Sequence, residues 1–102
     1  MKLLFVTCLK EYQSEVAAIF SKANIHVFSV TKTTGFRDNQ QPDIIHSWFS
    51  SGDEKFDSIF LYSFTEDANA DNAMEFVKSY NASVNSGFPI RAFILPVEKS
   101  SY

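Results

Sequence analysis

The stretch "IRAFILPVEKS", Ile90 to Ser100, decides more about this fold than any other part of the chain. In an extended backbone alternate side chains face opposite ways, so Ile90, Ala92 and Ile94 share one face and Phe93, Leu95 and Val97 the other. A half-exposed strand would be apolar on one face only. Here both faces are apolar. The strand is therefore expected in a sheet covered on both sides, by helices or by another copy of the chain.

Reading outward, "FDSIFLYSFT" (Phe56 to Thr65) has the same character, with Ile59 and Leu61 on one face and Phe56, Phe60, Tyr62 and Phe64 on the other. The N-terminal "KLLFVTCL" (Lys2 to Leu9) places Leu3, Phe5 and Leu9 opposite Leu4, Val6 and Cys8. Its apolar run of about six residues is shorter than the ~7–15 of a secretory leader, so a buried first strand is expected. Residues 25–36, "IHVFSVTKTTGF", are β-branched and aromatic and read as a further strand. Its apolar residues change face between Val27 and Phe28, which predicts a bulge or local twist.

Two stretches have helical period instead. From about Glu11, the residues Tyr12, Val16, Ile19, Phe20 and Ala23 make one stripe, and Asn24 can take the left-handed conformation that ends such a helix. From Ala68 to Asn85 the stripe is Ala73, Val77, Tyr80 and Val84. Asp67 and Asp71 lie at its positive N-terminal end, and Gly87 and Pro89 follow it. The order β-α-β-β-α-β predicts a single α+β domain over residues 1–102 of the ferredoxin-like class, a four-stranded antiparallel sheet with both helices on one face. The other face would then expose Phe56, Phe60, Tyr62 and Phe64, a larger apolar patch than monomers usually carry. Burial of that face against other subunits is the expected remedy.

Composition narrows the function. The chain has 102 residues, 45% apolar and 16% aromatic, with a net charge of −3 and a pI near 5.2. No basic run exists, which argues against nucleic acid or a membrane surface as partner. The single Cys8 forms no internal disulfide and fits a reducing cytoplasm. "Asn81-Ala82-Ser83" has the glycosylation spacing but reads as a chance match.

Two motifs now carry a resemblance. "VTKTTGF", Val30 to Phe36, resembles the end of the second strand of the PII nitrogen-signalling proteins, just before their long T-loop. "RAFILPVEKS", Arg91 to Ser100, resembles their fourth strand, and "MKLLFVTCL" their first. The resemblance implies a non-catalytic, cytoplasmic regulatory homotrimer with helices outward. It binds ATP or ADP in clefts between subunits and signals to a protein target through a loop, here residues 37–52 and shortened. It places ligand binding at Gly35, Phe36, Arg37, Gly87 and Arg91, and a partner-facing role at His46 and Trp48 of "HSW", which resembles divergent PII-like proteins.

The Gly-Asp-Gly-Lys phosphate segment of PII proteins is replaced here by "SGFPIR". Pro89 has no N–H, and Phe88 and Ile90 are bulky and apolar. That implies a small anion, or a weakly held nucleotide, in place of tightly bound ATP. The loop also lacks the tyrosine that some PII proteins have modified. For Arg91 a rim salt bridge, with Glu98 or an acidic residue of a neighbouring subunit, stands beside an anion clamp formed with Arg37 and the Gly35 turn. A CutA-like metal-ion-handling protein is the alternative from another class, with Cys8, His26 and His46 the soft or imidazole ligands available. No metal-ligand spacing of known type occurs among them, and no metal site is expected. Enzymes of this fold order, the acylphosphatases, carry a Gly-rich Arg loop after the first strand, which "TCLKEYQ" does not have.

Overall fold

A computed structural model describes residues 1–36, 56–85 and 87–101. Strand β1 spans Lys2–Leu9, a single 3₁₀ turn Lys10–Tyr12 leads into helix α1 at Gln13–Lys22, and β2 follows at Ser29–Gly35. Then come β3 at Phe56–Thr65, helix α2 at Asp67–Val84 and β4 at Arg91–Pro96. The sheet order is β2-β3-β1-β4, and every neighbouring pair is antiparallel. This is the ferredoxin-like α+β arrangement.

Both helices lie on the face formed by Leu4, Val6, Cys8, Ile59 and Leu61. Val16, Ile19 and Phe20 of α1 and Ala73 and Val77 of α2 close over them into one core. Leu4, Val6, Val16, Phe20 and Leu61 are wholly removed from water, each stabilising the fold by about 1.5–3 kcal/mol. Ala70, outside the stripe read from the sequence, is buried, and Val84 at the end of that stripe is exposed. The first turn of α2 is thus buried more deeply than its last residue.

Helix α1 ends as its asparagine predicts. Asn24 has φ 64°, the Ile25 N–H reaches the Phe20 carbonyl at 2.8 Å, and the Asn24 N–H reaches that of Ser21 at 3.1 Å. These are the two bonds of a Schellman motif, and the buried Phe20 and Ile25 supply its apolar contact. This motif shortens the second strand. Ile25 belongs to the helix end and Phe28 turns edge-on to Phe20, with ring centroids 5.0 Å apart. Ser63 Oγ donates to the Val27 carbonyl at 2.7 Å. Pairing begins only at Ser29. The face change between Val27 and Phe28 is therefore the approach to a strand, and no bulge within one.

Helix α2 ends within one residue of its expected bound, but its cap is not Gly87. Asn85, at φ 52° and ψ 47°, is the left-handed cap, and its N–H donates to the Asn81 carbonyl at 3.1 Å. The last strand is shorter than its apolar run, since Ile90, Val97 and Glu98 lie outside it.

The sheet's second face carries Leu3 and Phe5 of β1, Phe60, Tyr62 and Phe64 of β3, and Phe93 and Leu95 of β4. Phe5 stacks on Phe60 with centroids 5.0 Å apart, and lies 6.5 Å from the Phe93 ring. Even so, Phe64 keeps 57% of its surface exposed, Leu95 45% and Phe93 37%. No described helix is long and apolar enough to cross a membrane.

Candidate functional site

Arg91 is the first residue of β4, and its backbone register puts it beside Thr7 of β1 and, one strand further, Phe60 of β3. The segment in front of it is held by one side chain. Asn81, on the last turns of α2, donates from Nδ2 to the Ile90 carbonyl at 2.7 Å and accepts the Ile90 N–H at 2.9 Å on Oδ1. Its amide thus pairs with Ile90 as a neighbouring strand would, satisfying both backbone groups of a residue that is 2% exposed. An amide engaged at both ends, and partly buried, is a poor glycosylation acceptor.

Between α2 and the outer edge of β4 runs a groove of about 230 Å³, lined by Met74, Lys78, Asn81, Pro89, Arg91 and Phe93 among others. Two of its lining groups are cations, Lys78 and Arg91, and none is acidic. Lys78 Nζ lies 3.4 Å from Glu75 on the exposed side of the helix, a contact of little strength between solvated partners. The Arg91 Nε is buried and has no hydrogen-bond partner among the described residues. A buried donor on a guanidinium without an acceptor costs about 1–3 kcal/mol or more, so an anion placed here would recover that penalty. No described ion pair joins Arg91 to Glu98.

The sequence-expected residues divide by position. Gly35 is buried at the end of β2 opposite Phe56, and Phe36 beyond it is 64% exposed. Two strands separate β2 from β4, and Gly35 stands four residues further along the register than Arg91. With strands ~4.8 Å apart and ~3.4 Å per residue, the two are on the order of 20 Å apart. One chain does not bring them together. Gly87 is exposed, a Cβ there would meet nothing within 4 Å, and the left-handed residue of its turn is Asn85. The backbone at Gly87 thus has no steric need of glycine. Arg37, His46 and Trp48 lie outside the described residues.

Lys78 and Asn81 line the groove although the sequence marks neither as a ligand residue, Asn81 standing out there only for its glycosylation spacing. Their signal was present: Met74, Val77, Lys78 and Asn81 recur at helical spacing along one edge of α2. What the spacing withholds is which strand that edge meets.

Other reactive groups lead elsewhere. The Cys8 thiol faces the helices, and burial, with a smaller contribution from the Glu15 carboxylate, pushes its pKa up to about 12. It stays protonated at neutral pH, a weak nucleophile and a weak ligand. The Tyr80 phenol is likewise pushed above its usual value, by burial first and then by Glu15, Tyr12 and Cys8. His26 is exposed, with Nε2 3.0 Å from Asn24 Oδ1. Among the described residues no three of His, Cys, Asp and Glu gather as metal ligands would.

No family model matches the chain, and no curated protein matches it. Solved structures do. A crystal structure of a "putative PII-like signaling protein" from Thermus thermophilus superposes with a TM-score of 0.62 at 12% identity, over 91% of this chain and 82% of that one. The chain has a PII-like fold.

Proposed function

We propose that this chain is a non-catalytic PII-like regulatory protein that binds a small anion at Arg91 and Lys78. The observation that carries the reading is the buried Arg91 Nε, without a hydrogen-bond partner among the described residues, in a groove whose described charged lining is wholly cationic. The likeness to a protein described as PII-like signalling supports the regulatory class. The exposed aromatic face of β1, β3 and β4 supports assembly, proposed as a homotrimer. Because Gly35 and Phe36 lie at the opposite edge of the sheet from Arg91, a cleft that holds all three takes them from two copies. Residues 37–52, with His46 and Trp48, are proposed to present the bound state to a protein target.

The ligand is a carboxylate- or phosphate-sized anion. A nucleotide such as ATP or ADP binds no better than high micromolar, since Pro89 offers no N–H to a phosphate chain. Calorimetric titration with inorganic phosphate, ADP and ATP tests this. Binding of one of them should weaken at least tenfold in both Arg91→Ala and Lys78→Ala. Submicromolar ATP binding that survives Arg91→Ala unchanged would place the site elsewhere.

A further inference from the structure

The groove at Lys78 and Arg91 has a cationic end and an apolar remainder. Beside the two cations and Asn81, its lining includes Met74, Val77, Pro89 and Ala92. The Asn81 amide is engaged at both ends by the Ile90 backbone, and Pro89 has no N–H. Among the described lining side chains, Lys78 and Arg91 are therefore the polar groups left to meet a ligand. Met74 lies one turn before Lys78 on α2, about 6 Å along the helix axis. Ala92 follows Arg91 on β4 and lines the groove from the other side.

We propose that this groove holds a monocarboxylate with a short unbranched apolar chain, its head on Lys78 and Arg91 and its chain laid between Met74 and Ala92. The proposal rests on the anion site assigned above and names the class of its ligand. The donors supply the first argument. A guanidinium and an ammonium can saturate both oxygens of a carboxylate with charge-assisted hydrogen bonds. A phosphate has more oxygens than these two groups can face. The surplus would lose water against Met74, Val77 and Pro89 and gain no hydrogen bond in return. Hydroxyl groups along the chain would suffer the same loss.

Size supplies the second argument. The groove's volume of about 230 Å³ holds roughly seven or eight non-hydrogen atoms at the ~30 Å³ a water takes in the liquid. Acetate would leave about half of it empty. Length supplies the third, because the rise of about 6 Å from Lys78 to Met74 matches about four or five carbon–carbon bonds of ~1.5 Å in zigzag. Pentanoate and hexanoate meet both measures.

The test titrates the full, isotope-labelled chain at neutral pH with acetate, butanoate, pentanoate, hexanoate and octanoate. Inorganic phosphate and pentanamide run beside them, and amide shifts are followed at residues 77–81 and 90–92. A wholly buried methylene strengthens binding about three- to fourfold, and an open groove delivers part of that. Affinity should rise at least tenfold from acetate to pentanoate and level off by octanoate. Pentanamide, equally long but uncharged, should bind at least tenfold more weakly than pentanoate. Lys78→Gln should weaken every acid by the same factor. Met74→Ser should flatten the dependence on chain length and leave acetate binding unchanged, and the fold should hold, since Met74 is not part of the buried core. Affinity independent of chain length in the unaltered protein overturns the proposal. So does phosphate binding more tightly than pentanoate, or shifts confined to the second sheet face around Leu3 and Phe64. Acetate and phosphate binding with no gain from the chain leaves the anion site standing and removes the ligand class. No binding of any anion in the series removes both.

Discussion

Replacing Asn81 by Ala is expected to destabilise the fold out of proportion to the size of the side chain. Two hydrogen bonds, 2.7 and 2.9 Å long, are lost. More important is what they leave behind. Ile90 is 2% exposed, so its N–H and C=O become buried groups without partners, at about 1–3 kcal/mol each. Both bonds are partly buried, and water can reach part of the gap, so the lower half of the range applies and the total is about 2–4 kcal/mol. For a domain of this size that corresponds to a fall of roughly 10–25 °C in Tm.

Asn81→Asp gives the sharper comparison. A carboxylate still accepts the Ile90 N–H but cannot donate to the Ile90 carbonyl, and it sets two acceptors against each other. It should therefore cost about as much as Ala at pH 7 and less at pH 3, where the protonated acid donates again. Urea unfolding with an unchanged m-value measures both. A loss below about 0.5 kcal/mol in Asn81→Ala would show that Ile90 does not depend on this amide, and the account of how Arg91 is positioned would fall with it.

Two further outcomes are expected. Cys8, protonated to about pH 12, should resist thiol reagents in the folded protein at pH 8 and react at once in denaturant. The same raised pKa means that stability is fully present below the unfolded thiol value near 9 and declines as pH rises from there toward 12, because the unfolded state loses its proton first. Rapid labelling of the native protein at pH 8 would contradict the burial of this face. Phe64→Asp, at an aromatic of the second sheet face that keeps 57% of its surface exposed, should leave helix content unchanged and reduce sedimentation mass from an oligomer toward 11.6 kDa. A wild-type protein already sedimenting at that mass would remove the proposed trimer.

Strand faces and helix stripes were open to reading because they are periodic, and a period is a property of neighbours along the chain. β1 and β3 have the bounds that alternation gives them. Asn24 ends its helix because few residues other than glycine accept a positive φ, a constraint written in a single letter. Where the reading of boundaries departed from the structure, a contact between distant segments intervened: Ser63 holding Val27, Phe20 taking Phe28, Asn81 holding Ile90.

The site divides in the same way. Arg91 stood out because a cation in an apolar strand is locally anomalous. Lys78 and Asn81 did not, since a lysine and an asparagine on a helix are ordinary until the fold lays that helix against the open edge of β4. The separation of Gly35 from Arg91 was likewise beyond the sequence. Two motifs that match one family in order of elements carry no distance, and the distance comes from the strand order β2-β3-β1-β4, which puts the two residues at opposite edges of the sheet. Local sequence determined what each segment is and which way its side chains face. Tertiary packing alone decided which faces and edges meet, because that choice minimises the exposed apolar surface of the whole chain and not of any one element.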